Sequence, residues 1–316
     1  MIPTIMRSKS NQVDSSKGPF KKVTVKIQGG LGNQLFQFFA GLKIALENDS
    51  SLKLDTSAYG LYSNSQPHEF PYILKYGRIG SNFEVTNSFP RIRREVFKEL
   101  SRLPLQLRNG LGYFKDNELI NLAKSMNNLY LDGYYQDVAL LPSFPVIDEY
   151  LQLDGNRLSC ILEEIELVRS IQPILIHVRR GDYLTMPTIY QELTREYYFS
   201  GISHLETVLG KREVWLISDE PKGALHLLGN KIVVDKVLTP QSSIDPSQYL
   251  EMMSHFKGIV TANSTFSWWG AYLGYGRGNT QAVVMPSSFR HNEAINQHRL
   301  LGVNGWHIMN SRGDSV

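Results

Sequence analysis

The chain has 316 residues, of which 42% are hydrophobic and 20% charged, and its formal net charge at pH 7 is +3. This length and composition are sufficient for a sizeable buried core and favour two domains. The positive charge is too small for a dedicated nucleic-acid-binding protein, so we expect no nucleic-acid partner.

The N-terminal residues and the single cysteine bear on cellular location. Residues 1–20 lack the apolar segment of a signal peptide, and no stretch approaches eighteen consecutive apolar residues. We therefore predict a disordered tail and a cytoplasmic protein. Cys160 excludes an intramolecular disulfide and fits a reducing compartment. We interpret it as a small apolar residue of a helix around residues 157–169, not as a nucleophile.

The first half begins with KKVTVKIQ, an alternating and β-branched segment that predicts a strand from Lys21. The GGLGN turn then leads into an apolar-rich helix from about residue 33 to 47. SLKLD (51–55) and NLYLDGYYQ (128–136) predict further strands. The pattern between residues 60 and 127 is less regular, with helical pieces separated by Pro, Gly and Asn.

The second half alternates between helices and strands from about residue 155. The predicted elements are a helix to Ser170, the strand PILIHVR, a helix over 195–208, the strand EVWLIS, a helix after Pro221, the strand KIVVD, a helix over 245–255, the strand GIVTA, a helix over 265–273 and the strand AVVMP. Such alternation is typical of a parallel sheet covered by helices on both faces.

These patterns predict an α/β protein of two Rossmann-like domains whose parallel sheets face one interdomain cleft. We place the tail at residues 1–20, the first domain at 21–154, the second at 155–290 and a C-terminal extension at 291–316.

The segment ILIHVRRGDY, residues 174–183, is a buried strand that ends in two arginines and an aspartate. Ligands of parallel α/β proteins bind beyond the carboxyl ends of the strands. His177 and Arg179 share one face of the strand because they are two residues apart. Since arginine matches phosphate oxygens with a charged fork of donors, Arg179 indicates a nucleotide diphosphate and His177 a further contact to it. For Arg180, phosphate binding and an ion pair with Asp182 are both open.

A second polar segment, TANSTFSWWGAYL, breaks a strand at Asn263 and enters a helix through Ser264 and Thr265. A helix N-terminus presents free N–H groups and a partial positive charge, so this turn is suited to an anion. The alternative is an ordinary N-cap, which accounts for only one of the hydroxyls. We expect Trp268 and Trp269 to pack the helix onto the sheet and not to contact sugar.

The turn GGLGNQLFQ, residues 29–37, is a third and weaker indication. Glycines between a strand and a helix allow a ligand or neighbouring backbone to approach closely. Asn33 and Gln34 are uncharged donors suited to phosphate or sugar hydroxyls. The turn is not a dinucleotide fingerprint, because Leu35 stands where the last glycine is required.

The sequence contains no D-x-D pair, Walker loop, H-E-x-x-H motif or cysteine cluster. If a diphosphate is the leaving group, we expect arginine and helix N-termini to stabilise its charge without a metal ion or other cofactor.

Taken together and in this order, GGLGNQLFQ, HVRRGDY and NSTFSWWGAYL resemble the bacterial α-1,2-fucosyltransferases, and YLDGYYQD and the ISD of WLISDEP are similar to further segments of that family. The similarity covers roughly residues 21–289. It implies a GT-B fold with the acceptor mainly on the first domain and GDP-fucose mainly on the second, and metal-independent inversion at the fucose anomeric carbon. Related arginine motifs occur in α-1,6- and protein O-fucosyltransferases, so an α-1,6 linkage stays open.

The implied reaction moves fucose to the 2-hydroxyl of a terminal galactose of an oligosaccharide or lipid-linked glycan, in the synthesis of cell-surface glycans such as O-antigen. The resemblance implies specific roles for the residues of the three motifs. The implied donor contacts are Arg179 to the β-phosphate, His177 to the nucleoside side, Asn263, Ser264 and Thr265 to phosphate, and Asn33 from the opposite domain.

The guanine contacts and the catalytic base are less defined. Asp219 is a candidate for the guanine edge, but several relatives have an acidic residue where Tyr249 stands here, which makes Glu251 or Asp245 possible substitutes. For the base we favour Asp182, which follows the arginines into the cleft. The alternatives for the base are Glu69, His68 and Glu192.

Two further patterns give competing hypotheses. RGD occurs at residues 180–182 and, in a tail we expect to be frayed, at 312–314. A non-enzymatic adhesion protein is therefore a remote alternative. Residues 91–108 contain six basic residues and could form a helix with one basic face. That face is either a solvated surface or a site of peripheral attachment to anionic lipid at the inner face of the membrane.

Overall fold

A computed structural model of the chain describes residues 21–59, 70–86, 96, 99–100, 102–115, 128–181, 192–239, 244–289 and 300–316. The predicted tail over 1–20 lies outside these residues, as do residues 91–95, 97–98 and 101 of the predicted basic segment over 91–108. None of the helices within the described ranges is long and apolar enough to cross a membrane.

The described residues form two sheets in which all strand pairs are parallel. The first sheet has five strands in the order β3-β2-β1-β5-β4, and the second has six in the order β11-β10-β9-β6-β7-β8. The strands are β1 (Lys22–Lys26), β2 (Ser51–Asp55), β3 (Glu84–Thr86), β4 (Tyr113–Lys115), β5 (Asn128–Asp132), β6 (Ile174–Val178), β7 (Val214–Ser218), β8 (Lys236–Leu238), β9 (Gly258–Val260), β10 (Ala282–Pro286) and β11 (His307–Met309).

Helices connect the strands, as the alternation of the sequence predicts. The α-helices are α1 (Leu31–Glu47), α2 (Gly77–Asn82), α3 (Leu105–Gly110), α4 (Phe144–Tyr150), α5 (Gly155–Ser159), α6 (Leu162–Ile171), α7 (Arg195–Leu209), α8 (Pro221–Leu228), α9 (Pro246–Met253) and α10 (Thr265–Gly276). Short 3-10 helices lie at Tyr72–Lys75, Val138–Leu140 and Gly229–Lys231.

Two predicted elements differ from the structure. KIVVD is not a strand: a 3-10 helix ends at Lys231, Val233 is 73% exposed, and pairing with β7 begins only at Lys236. The helix predicted around Cys160 is two helices, because the chain turns between α5 and α6 to bury Ile161. Cys160 itself is exposed at the end of α5, so it is not a packing residue.

The two halves of the molecule share one hydrophobic core where α1 packs against α10. The Phe36 ring lies 4.9 Å from that of Trp268 and 5.0 Å from that of Trp269, measured between centroids. Both tryptophans are fully buried, and their indole N–H groups donate to the backbone oxygens of Leu301 and Gly32. The prediction that the tryptophans pack the helix is confirmed, and they also fix α10 to the first half.

The C-terminal residues belong to this core. Strand β11 pairs with β10 and widens the second sheet, while Leu301 and Trp306 are buried. The second RGD lies in an ordered turn, in which Asp314 Oδ2 accepts a hydrogen bond from Asn310 Nδ2 at 2.9 Å. The prediction of a frayed tail at this position is therefore wrong.

Candidate active site

The starts of α1 and α10 meet between the carboxyl edges of the two sheets. A methyl group on Gly32 would lie 2.5 Å from the carbonyl carbon of Thr265, so the two backbones approach as closely as glycine permits. Thr265 Oγ1 donates to Asn33 Oδ1 at 3.0 Å, and Gln136 Nε2 donates to the same oxygen at 2.9 Å. Two motifs that are far apart in sequence therefore lie together at the floor of the cleft.

Arg179 follows β6 directly and extends from the carboxyl edge of the second sheet. Its Nη1 lies 3.2 Å from Asp219 Oδ2, and a third of its side chain is exposed. Asp219 follows β7, the neighbouring strand, and accepts from the backbone N–H groups of Arg180 (3.0 Å) and Gly181 (2.9 Å). Asp219 thus fixes both the turn after β6 and the guanidinium of Arg179.

This arrangement gives Asp219 a role different from the predicted guanosine contact. Both carboxylate oxygens already accept hydrogen bonds from the β6 turn or pair with Arg179. A carboxylate can accept further bonds, but its position is set by the turn. The sequence separation between HVRRGDY and WLISDEP did not indicate that Asp219 pairs with Arg179 and the β6 turn.

Arg180 points to a different set of partners from Arg179. Its guanidinium pairs with Glu192 Oε1 at 3.1 Å and with Glu220 Oε2 at 3.2 Å, and only 17% of the side chain is exposed. Asp182, the partner we considered, lies outside the described residues. These contacts favour an ion-pairing role for Arg180 over phosphate binding. They also occupy Glu192, which was one of the candidates for the catalytic base.

His177 lies within β6, two residues before Arg179, and is 4% exposed. Burial, together with the positive charge of Arg179, lowers its pKa to about 4, so the imidazole is neutral at pH 7. Its ring lies 6.0 Å from the ring of Phe266 in the first turn of α10. Nδ1 is buried and has no hydrogen-bond partner among the described residues, so it is an unsatisfied polar atom beside Arg179.

The turn before α10 contains the other predicted phosphate contacts. Ser264 is the N-cap, and its Oγ accepts from the N–H of Phe266 at 3.3 Å. Asn263 is 2% exposed, and its Nδ2 donates to the backbone oxygen of Phe289 at 3.3 Å. The ordinary N-cap interpretation therefore holds for Ser264, whereas the Thr265 hydroxyl joins the two halves through Asn33.

Gln34 does not have the free amide that we predicted. It is fully buried, and its Nε2 donates to the backbone oxygens of Gly29 (2.7 Å) and Phe70 (2.8 Å). Its Oε1 accepts from the N–H of Ile73 at 3.0 Å. Backbone groups occupy both ends of the amide, and no surface of Gln34 is exposed. The side chain therefore stabilises the turn and does not contact the donor substrate.

The proposed substitutes for a guanine contact are also held by other groups. Asp245 caps α9 and pairs with Arg157 at 2.5 Å. Glu251 pairs with Arg277 at 2.9 Å and is mostly buried. Tyr249 donates its hydroxyl hydrogen to the backbone oxygen of Thr239 at 3.0 Å.

Three candidates for the catalytic base, Asp182, Glu69 and His68, lie outside the described residues, so their roles as the base stay predictions. Within the described part of the chain, no group of three or more His, Cys, Asp or Glu residues could hold a metal ion.

Comparison with known proteins gives matches over most of the chain. The model of the family described as Glycosyl transferase family 11 matches residues 113–304. The O-antigen biosynthesis glycosyltransferase WbnK of Escherichia coli is 29% identical over 274 residues, which are 78% of this chain and 88% of that protein. An alpha-1,2-colitosyltransferase of Escherichia coli is 24% identical over 298 residues, 87% of this chain and 94% of that protein. The predicted family resemblance is confirmed.

Solved structures of the NodZ alpha-1,6-fucosyltransferase are similar in fold. One was co-crystallised with GDP and one soaked with GDP-fucose, and each gives a TM-score of 0.50 over 80% of this chain and 92% of theirs. Sequence identity is 13% and 15%, so the likeness concerns the fold alone. The predicted GT-B architecture is confirmed by this likeness and by the two parallel sheets.

Proposed function

The chain belongs to glycosyl transferase family 11, and we propose that it transfers L-fucose from GDP-fucose to the 2-hydroxyl of a terminal galactose. The acceptor would be an oligosaccharide or a lipid-linked glycan, and a role in O-antigen biosynthesis is supported by the name of the WbnK relative. The transfer would invert the anomeric configuration and need no metal ion. A cytoplasmic location belongs to the same proposal, since a single cysteine fits a reducing compartment.

The observation that carries the proposal is the fixed position of Arg179 at the carboxyl edge of the second sheet. Asp219 Oδ2 lies 3.2 Å from Nη1 of the guanidinium, and 32% of the Arg179 side chain is exposed. When the bond between fucose and the β-phosphate breaks, negative charge develops on the departing diphosphate. A preorganised guanidinium stabilises that charge without rearrangement, and the positive end of the α10 dipole adds to it.

His177 would contribute a hydrogen bond but no charge. A neutral imidazole has one donor and one acceptor nitrogen, and the ligand determines which nitrogen carries the proton. The buried, unpartnered Nδ1 costs about 1–3 kcal/mol as an unsatisfied polar atom. A donor substrate that reached Nδ1 would recover this cost.

The reaction we propose is a single displacement. The galactose hydroxyl attacks the anomeric carbon on the side opposite the leaving group, a new C–O bond forms, and the bond to the β-phosphate oxygen breaks. The hydroxyl proton passes to a base, for which Asp182 is our first choice and Glu69 and His68 are alternatives. Inversion follows because only one displacement occurs.

The test is release of GDP from GDP-fucose in the presence of EDTA, with lactose and N-acetyllactosamine as acceptors. We expect release only when a galactoside is present, and product NMR should give an α-1,2 linkage. Arg179→Ala should lower kcat by about a hundred- to a thousand-fold, while the melting temperature changes little. Absence of release with every acceptor, together with no calorimetric binding of GDP, would refute the proposal.

A second candidate is transfer of colitose in place of fucose. It is favoured by the relative named alpha-1,2-colitosyltransferase, which this chain matches over 87% of its length. The two donors differ in the sugar and not in the nucleotide, so Arg179 would serve both. The ratio of kcat/KM for GDP-fucose and GDP-colitose decides between them, and the NMR assignment of the product also separates either reaction from α-1,6 transfer.

A further inference from the structure

Two adjacent glycines between β1 and α1 have very different surroundings. Gly29 has a φ of +75°, and a methyl group there would lie 3.0 Å from Asn33 Nδ2 and 3.5 Å from the ring of Tyr134. Gly30 has a φ of −70° and a ψ of 168°, values that any residue adopts. No heavy atom of the described residues lies within 4 Å of the position that a Cβ of Gly30 would take. Neither the backbone conformation nor packing against the described residues requires glycine at position 30, and those residues leave the space above it open.

Residues from two connections of the first sheet, the one between β2 and β3 and the one after β5, lie near this turn. Tyr59 follows β2 and donates its hydroxyl hydrogen to the Gly29 oxygen at 2.9 Å, and Tyr134 follows β5. The backbone of Phe70 is held by Gln34, whose Nε2 also bonds the Gly29 oxygen. The Tyr59 hydroxyl and the Tyr134 ring thus lie at the turn, and the backbone of Phe70 is tied to it through Gln34.

Phe70 is 45% exposed, although its backbone is well anchored. Its ring lies 5.3 Å from the ring of Tyr72, and Lys75 Nζ lies 5.3 Å from its centroid. An exposed aromatic side chain whose backbone is tied to a polar turn is suited to a ligand site, because ligand pockets combine aromatic side chains with a few polar groups. The C–H face of a pyranose ring is a suitable partner for such a surface.

A series of contacts connects the turn at Gly29 and Gly30 to the donor side of the cleft. Thr265, at the start of α10, bonds Asn33, and Asn33 lies against Gly29. Gly29 bonds Gln34, and Gln34 bonds the backbone of Phe70. The open space therefore adjoins the helix start that would face the diphosphate, but it lies on the first sheet.

From this placement we infer that the space above Gly30 is the subsite for the terminal sugar ring of the acceptor, with Phe70 as its apolar wall. The inference rests on the proposed function and assigns residues to its acceptor side. A sugar in this space would approach the Gly30 backbone closely, and its reacting hydroxyl would face the donor across Asn33.

The decisive variant is Gly30→Val, which adds a branched side chain at a position where a Cβ meets no heavy atom of the described residues within 4 Å. Gly155→Val is the matched control, because Gly155 is also exposed and also has no neighbour within 4 Å among the described residues. KM for lactose and for GDP-fucose, GDP affinity by calorimetry and the melting temperature would be measured for both variants. We expect the lactose KM of Gly30→Val to rise by about ten-fold or more. GDP affinity and melting temperature should match those of the control.

Phe70 gives an independent test of the same subsite. Phe70→Ala should lower kcat/KM for lactose by about five- to ten-fold, and Phe70→Tyr should retain it because the ring is kept. Val208→Ala, which truncates an exposed apolar side chain on α7, is the control for general surface effects.

Three outcomes are informative. An unchanged lactose KM in Gly30→Val together with an unchanged kcat/KM for lactose in Phe70→Ala would overturn the inference. So would a rise in the KM for GDP-fucose alone, which would place the donor sugar in this space. Failure of the unmodified protein to transfer to any galactoside would instead count against the proposed function, and the two failures are therefore distinguishable.

Discussion

Thr265 donates its hydroxyl hydrogen to Asn33 Oδ1 at 3.0 Å, although the two residues are 232 positions apart in the sequence. The bond joins the first turn of α10 to the first turn of α1 and so connects the two sheets at the floor of the cleft. Its length depends on the close approach of the two helices at Gly32. The geometry of the donor side is therefore coupled to that of the first half.

Gly32→Ala should separate the two helix starts. The added methyl group would lie 2.5 Å from the Thr265 carbonyl carbon and 2.6 Å from the Phe266 nitrogen, which are backbone atoms that cannot move independently. We expect a loss of about 1–3 kcal/mol in the free energy of unfolding, measured in urea, and a fall in kcat/KM. Gly155→Ala, at a site with free space, is the control. Equal stability of the two variants would show that the helices can move apart without cost.

Asp219→Asn tests whether this carboxylate positions Arg179 or binds guanine. The amide keeps one acceptor oxygen but presents an N–H₂ group toward Arg179 or toward a backbone N–H, so we expect kcat to fall by about ten-fold or more. The discriminating measurement is the affinity for GDP relative to inosine diphosphate, which lacks the guanine amino group. A positioning role predicts that both affinities fall alike. A selective loss of the preference for GDP would assign Asp219 to the guanine edge.

Arg277→Ala should destabilise the protein strongly. Arg277 is 16% exposed and pairs with Asp148 of α4 at 2.7 Å and with Glu251 of α9 at 2.9 Å. Its loss leaves the mostly buried Glu251 with only the His255 imidazole as a side-chain partner for its carboxylate. The expected cost is about 3–5 kcal/mol in the free energy of unfolding. Arg78→Ala is the control, since the Arg78–Glu149 pair is exposed and should contribute about 0–1 kcal/mol. A similar loss of unfolding free energy in Arg277→Ala and Arg78→Ala would contradict the larger contribution that we assign to the buried pair.

His177 should make stability depend on pH in the acidic range. Burial lowers its pKa in the folded protein to about 4, whereas the unfolded chain takes up the proton below about 6.5. The unfolded state therefore binds more protons between these values, and stability falls as pH falls from about 6.5 to 4, by roughly 3 kcal/mol. Above pH 7 the contribution is constant.

The measurement is urea unfolding of the unmodified protein and of His177→Gln at several pH values. The slope between pH 4 and 6.5 should be smaller in the variant. His204→Gln is the comparison, because burial and the neighbouring His307 lower the pKa of His204 as well. If the slopes of the unmodified protein and His177→Gln coincide, the imidazole is not held neutral by its burial.

Much of the fold follows from local sequence patterns. The strands β6, β7 and β10 are apolar except for His177 and Ser218, and each is buried along its full length. The edge strands β3 and β4 have three residues each, which is too short for a periodic signal. KIVVD has the composition of a strand, but β8 pairs with β7 only from Lys236, and pairing depends on the neighbouring strand and not on the segment itself.

The candidate site was predictable where a single segment carries the chemistry. His177 lies on β6 and Arg179 directly follows it, so their proximity at the carboxyl edge follows from their spacing. The partners of these residues come from elsewhere in the chain. The sequence around Asp219 does not indicate that its carboxylate accepts hydrogen bonds from the β6 turn. The sequence around Gln34 does not indicate that the backbone of Phe70 occupies its amide.

The position of β11 has a consequence for the order in which the protein folds during synthesis. All five strands of the first sheet are available once residue 132 has been made, whereas the second sheet cannot be complete before residues 307–309 pair with β10. Domains commonly fold as units, N-terminal units first. The first sheet therefore has time to form around β1 before α10 is made. During that time the surface of α1 that will contact Trp268 and Trp269 is uncovered, and this apolar surface is the one that a chaperone would bind.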